Sequence, residues 1–202
     1  MDMATHNNKI KVWDIFIRVF HWSLVSAFTI AYLTEDEFSE IHVIAGYVII
    51  GLVITRLIWG FIGSKHARFS DFISNPMDVI HYLKTVIKLR AKHYIGHNPA
   101  GGAMVLMLLA SISMTLLFGL LTYGVGEFSG PLSNLATSFS HSTANFFKEA
   151  HEFFANFTVI LIVFHVIGVA VASFQHKENL VKSMITGYKN QSFTNKFRKH
   201  QN

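Results

Sequence analysis

The segment HEFFANFTVILIVFH, residues 151–165, sets an imidazole at each end of a run that is otherwise almost wholly apolar. On a helix, 14 residues advance by roughly 1400°, about 40° short of four full turns, and rise by roughly 21 Å. His151 and His165 therefore share one face of a helix long enough to cross most of a bilayer. An ionisable side chain is rare in such a place and marks function more often than packing.

The rest of the chain supports a membrane setting. Of 202 residues, 51% are hydrophobic and 14% charged, too apolar a balance for an ordinary soluble domain. Apolar runs of the length needed for a hydrocarbon core occur at about 15–33, 41–63, 103–123 and 153–174. The first lacks a small-residue cleavage site and is expected to remain as a helix. No long linker, low-complexity run or strong internal repeat interrupts the pattern, so one domain over residues 1–202 is expected. The chain has no cysteine, which removes disulfides, thiolate-bound metals, iron–sulfur clusters and covalent haem attachment from consideration.

Charge sets the orientation. Lys9 and Lys11 precede the first run, six basic residues lie from Lys65 to Lys92, and six more from Lys177 onward. The other side holds Lys148 against Glu35, Asp36, Glu37, Glu40, Glu127, Glu149 and Glu152. The positive-inside rule then places both termini and the middle loop in the cytoplasm. The fold expected is an all-α integral membrane four-helix bundle. The net charge of +5 reads as topology and attraction to anionic lipid, with no nucleic-acid partner. In NPMDVIHYLKTVIKLRAK, residues 75–92, Asn75 is a cap and Pro76 a first helical residue, predicting a helix on the cytoplasmic surface. The polar segment from Thr122 to Ala150 is external and has room for a short helix.

Depth sorts the twelve histidines. His6, His66, His81, His93, His97, His176 and His200 fall in cytoplasmic segments and His141 in the external loop, where surface residence explains them. His21, His42, His151 and His165 belong to the spans. The direction of each run across the membrane puts His42 and His151 at the outer level and His21 and His165 at the inner level. Two neutral imidazoles from facing helices, with a planar macrocycle between them, make an axial haem site. A zinc site is disfavoured because a pair falls short of four ligands, and a proton relay would want intramembrane carboxylates. A haem slot also needs small residues where the ring nears the backbone. Gly46 and Gly168 fit that need, and Gly101, Gly102 and Gly119 fit it more weakly. Arg56, 14 residues after His42, and Arg18, one turn before His21, are candidates to pair with haem propionates; the alternative is that they mark the cytoplasmic boundary. Trp13, Trp22 and Trp59 read as interfacial aromatics, and Asn156 and Thr158 as interhelical hydrogen-bonding groups.

RVFHW (18–22), IHVIAGYVIIGLVITRLIWGFIG (41–63), GHNPAGGAMVLMLLA (96–110) and AHEFFANFTVILIVFHVIGVAVASFQHKENLVKSMITG (150–187) together resemble the prokaryotic cytochrome b561 family, which includes b-type subunits of nickel–iron hydrogenases. The resemblance implies two b haems, with His21, His42, His151 and His165 as the iron ligands. It implies a multi-pass protein of the bacterial inner membrane that passes electrons between quinone and a partner. That partner would be a hydrogenase, another oxidoreductase subunit or a c-type cytochrome, with a homodimer also admitted. One branch implies a different activity, a superoxide:quinone oxidoreductase acting alone. The acidic outer rim repels superoxide and suits a cationic partner, which favours the electron-transfer cytochrome. A non-haem scaffold or transporter is the third class.

Overall fold

The computed structural model describes residues 9–35 and 39–190. Four helices are long and apolar enough to cross a membrane. They are α1 (Ile15–Leu33), α2 (Ser39–Ile62), α5 (Pro99–Leu121) and α6 (His141–His176); Thr122–Gly126 continues α5 as a π-helical turn. Between α2 and α5 lie α3 (Phe69–Phe72) and α4 (Pro76–Ile87), and α7 (Leu180–Thr186) follows α6. The architecture is all-α, as the hydropathy pattern predicts. Asp36, Glu37, His6 and His200 lie outside the described residues.

Local chemistry explains the helix ends. Asp14 caps α1, its Oδ1 accepting the Ile17 amide at 2.8 Å. Asn75 caps α4 by accepting the Met77 amide at 3.1 Å, with Pro76 at the first helical position, as the sequence implies. α5 starts four residues before its apolar run, because Asn98 accepts the Gly101 amide at 2.7 Å and Pro99 suits a first turn. α6 differs most from expectation and begins at His141. Ser140 accepts the Thr143 amide at 3.3 Å, and Phe147 is buried near Phe118, with ring centroids 6.4 Å apart. Polar residues 141–150 therefore extend the helix.

A short antiparallel ribbon adds what helical periodicity does not reveal. β1 (Lys9–Lys11) pairs with β2 (Tyr188–Asn190) in the register Ile10↔Lys189. Gly187 fixes the join. It ends α7 at φ +86°, and its carbonyl accepts the Val12 amide at 2.8 Å. A Cβ there would lie 2.7 Å from the Trp13 carbonyl oxygen, so only glycine fits without displacement.

The described chain forms two compact units, each assembled from separated segments. One comprises 9–22, 56–103 and 165–190. Its core gathers Val12, Trp13, Ile17 and Ala67, with Phe16 and Trp59 stacked at 4.6 Å. Asp14 sits at its edge, accepting from the Trp59 indole at 3.1 Å and from the Ser64 hydroxyl. Burial works to raise the Asp14 pKa, but the hydrogen bonds from Ser64, Ile17 and Trp59 outweigh it and hold the carboxyl below its ordinary value. Trp13 and Trp59 are thus packing residues as well as aromatics near span ends.

The other unit comprises 23–35, 39–55 and 104–164. Ala27, Ala31 and Ala45 pack with Ile49, Val53 and Ile112, small residues that let helices approach closely. Thr158 is fully buried, its hydroxyl 2.7 Å from Ser111 Oγ and donating to the Phe154 carbonyl at 2.8 Å. Tyr32 donates to Asn156 Oδ1 at 3.1 Å. Asn156 and Thr158 of the α6 apolar run thus hydrogen-bond between helices, as their sequence setting implies.

Candidate functional site

The four span histidines come together as two pairs, one in each unit. In the second unit, the His42 and His151 ring centroids lie 5.9 Å apart with planes at 82°. In the first, those of His21 and His165 lie 6.5 Å apart with planes at 51°. Two imidazoles that bind one metal ion from opposite sides, each at about 2 Å, place their centroids about 6 Å apart. Both separations fit that arrangement. Among the described residues no three His, Asp or Glu side chains gather around one point, so each donor set is a pair.

The His42–His151 pair is anchored from behind. His42 Nδ1 lies 2.9 Å from the Ala31 carbonyl of α1, and His151 Nδ1 lies 2.8 Å from the Thr115 carbonyl of α5. A carbonyl only accepts, so each Nδ1 carries the hydrogen and each Nε2 keeps its lone pair. That is the state in which an imidazole binds iron. Gly119, one turn beyond Thr115, makes the approach possible: a Cβ there would lie 2.9 Å from the His151 ring. The sequence suggested Gly119 as a small residue facing a macrocycle, but His151 itself takes that space.

Gly46 and Gly168, chosen for the same reason, have no heavy atom within 4 Å of an added Cβ. Space beside each is open, as a slot for a planar ring requires. Gly101 and Gly102 serve packing instead. The first belongs to the Asn98 cap, and the second lies so close to the Phe72 backbone that an added Cβ would collide with the Phe72 carbonyl oxygen.

The first unit supplies cations. Arg56 is only 3% exposed; its Nη2 donates to the Ala67 carbonyl at 3.1 Å and its guanidinium lies over Phe69 at 5.2 Å. Its Nη1 is buried without a hydrogen-bond partner, as are Arg18 Nε and His21 Nδ1. Arg18 Nη1 donates to the Ile185 carbonyl at 2.6 Å, so part of that side chain closes the end of α7. Unsatisfied buried donors in the unit that holds His21 and His165 fit a carboxylate-bearing group such as haem.

Surface residence fails for several other histidines. The His93 side chain is 6% exposed, its Nε2 lying 3.0 Å from Glu178 Oε1, and its ring sits 5.1 Å from that of His176. His97 lies between Trp13 and Phe72, at 4.8 and 4.7 Å. Burial, reinforced by the Arg56 and Lys189 cations, pushes its pKa down to about 4. His66 pairs with Asp71 at 3.0 Å, while His81 and His141 are exposed. No periodic signal marks the buried set, because their neighbours come from distant segments.

Long apolar helices carrying paired imidazoles fit a class, the membrane cytochromes that hold haem b for electron transport. Comparison with known proteins places this chain within it. The model of the prokaryotic cytochrome b561 family matches residues 12–187, and the chain belongs to that family. It is 23% identical to a probable Ni/Fe-hydrogenase B-type cytochrome subunit of Rhodobacter capsulatus, over 94% of this chain and 84% of that protein. A probable subunit of the same description from Rhizobium leguminosarum bv. viciae is 24% identical, over 92% of this chain and 91% of its own. No solved structure matches. The chain is therefore a multi-pass membrane protein of a b-type cytochrome family.

Proposed function

We propose that residues 1–202 form one di-haem domain of the bacterial inner membrane, with both termini cytoplasmic. It carries electrons between the quinone pool and a periplasmic or membrane-associated oxidoreductase. The supporting observation is the pair of imidazole separations, 5.9 and 6.5 Å, each suited to one iron between two rings. His42 and His151 hold the outer haem; His21 and His165 hold the inner one. Haem b bound in these positions supplies a one-electron iron couple at each level.

The protein's own groups do the rest. With each haem held by two histidines, no position would remain for oxygen or substrate, and each site would exchange electrons only. The Ala31 and Thr115 carbonyls fix the tautomer of the outer ligands and raise their basicity, which stabilises the oxidised metal. Arg56 and Arg18 would be the cations available to the propionates of a haem at the inner pair, and would favour the reduced state there. The inner site thus has the higher potential. The names of the relatives support a hydrogenase as the redox partner. On the proposed outer face Lys148 lies 3.8 Å from Glu152 among a majority of acidic residues, a charge balance that disfavours superoxide. Electron paramagnetic resonance of the oxidised protein tests the ligation: two low-spin ferric signals are expected, and a high-spin signal of full intensity would contradict it.

A further inference from the structure

The sequence predicts a surface helix within residues 75–92; the structure shows which of its faces is spent on the protein and which is not. At 3.6 residues per turn, Val79, Tyr82 and Val86 of α4 fall on one side. Tyr82 is buried, Val79 and Val86 are half-buried, and the Tyr82 ring meets that of Tyr94 edge-on with centroids 5.7 Å apart. That contact fixes the roll of α4 against the linker that follows it. Met77, Ile80, Leu83 and Ile87 are all exposed, Ile87 at 82%, and occupy an arc of about 120° turned away from Tyr82. His81, Lys84 and Lys88, also exposed, run along one edge of that arc. Asp78, the single acid among residues 75–92, stands roughly opposite its centre.

The end of the helix repeats the pattern. The Leu89 amide donates to the Val86 carbonyl and the Arg90 amide to the Thr85 carbonyl, each at 2.9 Å, the paired closure in which the left-handed residue is usually glycine. Here that residue is Leu89, at φ +53° and 68% exposed. A leucine is disfavoured in that conformation and unrewarded in water; an apolar surface beyond the protein accounts for it. The start of the helix is held at the level where the spans end. Phe69 of α3 meets Phe61 of α2 with ring centroids 5.4 Å apart, and the Phe72 backbone packs on Gly102 of α5 too closely to admit a Cβ. Only Ile73, Ser74 and Asn75 then separate α3 from α4.

We propose that α4 lies in the membrane interface, its apolar stripe and Leu89 among the acyl chains of one leaflet and Lys84, Lys88 and Arg90 on the phosphates of anionic phospholipid. Apolar side chains of such a helix enter the acyl boundary while lysine stems lie along it and keep their ammonium groups at phosphate depth. Charge selects a lipid surface over an apolar protein partner: the segment carries Lys84, Lys88, Arg90 and Lys92 against Asp78, and a basic segment is drawn to a negatively charged leaflet. The contact rests on the membrane setting alone and needs neither haem nor quinone. That the leaflet is the cytoplasmic one follows from the orientation proposed above.

The chain has no cysteine, so single nitroxides can be placed through Ile80→Cys, Leu83→Cys and, as the aqueous control, Asp78→Cys. The full-length protein is studied in vesicles of phosphatidylethanolamine and phosphatidylglycerol, and power saturation with oxygen and a nickel chelate reads depth. The labels at 80 and 83 are expected to favour oxygen over the chelate by about fivefold relative to the label at 78. Spin-labelled phosphatidylglycerol should be held at the protein in preference to spin-labelled phosphatidylcholine. Lys84→Gln combined with Lys88→Gln should roughly halve that preference and leave the helical circular dichroism unchanged. Labels at 80 and 83 as open to the chelate as the one at 78 would overturn the insertion and return the stripe to a protein partner. An unchanged lipid preference in the double variant would overturn the headgroup assignment. An impermeant thiol reagent that reaches Asp78→Cys from the outer side of spheroplasts would overturn the orientation and leave the lipid contact standing.

Discussion

The two histidine pairs are nearly alike in spacing and unlike in support. Behind His42 and His151 stand two backbone carbonyls, at 2.9 and 2.8 Å, and among the buried polar atoms of their unit the hydroxyls of Ser111 and Thr158 find each other. The unit of His21 and His165 differs. His21 Nδ1, Arg56 Nη1 and Arg18 Nε are buried donors without acceptors. Among the described residues, the buried side-chain atoms without a hydrogen-bond partner all fall in the unit of His21 and His165. A pocket that already has its hydrogen bonds orients a ligand, whereas a pocket with spare cations also recruits charge. If each pair holds a haem as proposed, what stands behind it would set two different potentials.

The largest test of that contrast is steric. Gly119→Leu places side-chain atoms where the His151 ring lies and pulls that ring off the Thr115 carbonyl. Haem content should fall from about two to about one per chain, measured by pyridine haemochrome, and full occupancy with an unchanged spectrum would break the account of the anchored pair. A pH experiment addresses the other unit. His97 is held near 4, below its ordinary value of about 6.5, so between those values the unfolded chain binds more protons. Stability should be full above about pH 6.5 and decline as pH falls toward 4, and His97→Phe should flatten that decline in thermal melts.

Smaller effects sharpen the comparison. Arg56→Gln should lower the potential of the inner haem by about 60 mV, a tenfold change for one electron, with the outer haem unmoved. Arg18→Gln should shift it less, because Arg18 Nη1 is already committed to Ile185. A redox titration in which neither haem moves would remove the arginines from the site. Thr158→Val deletes a buried interhelical hydrogen bond in the well-satisfied unit and should cost about 1 kcal/mol, read as a lowered melting temperature with both haems retained.

Much of this was legible in the sequence because membrane helices are local objects. Hydropathy alone located α1 at 15–33, and the 14-residue interval from His151 to His165 placed both on one face. Depth then matched each histidine with the partner it meets. Contacts made by segments far apart left no such trace. Ile10 pairs with Lys189, and His93 meets Glu178, across long stretches of chain, so a two-stranded ribbon and a buried charged cluster hid within residues that look like ordinary cytoplasmic loop. The sequence pattern marks Gly119 as a small residue facing a macrocycle, whereas the group that approaches it is the His151 ring. The extension of α6 back to His141 escaped because polar residues at a helix end weaken the hydropathy signal without weakening the helix.

The central claim is that two pairs of histidines each hold one haem. It is tested most directly by a pyridine haemochrome count with reduced-minus-oxidised spectra on purified protein, beside His42→Ala and His165→Ala. About two b haems per chain, with one lost in each variant and different spectral components missing, is the result predicted. No haem, or a count indifferent to both substitutions, would contradict it.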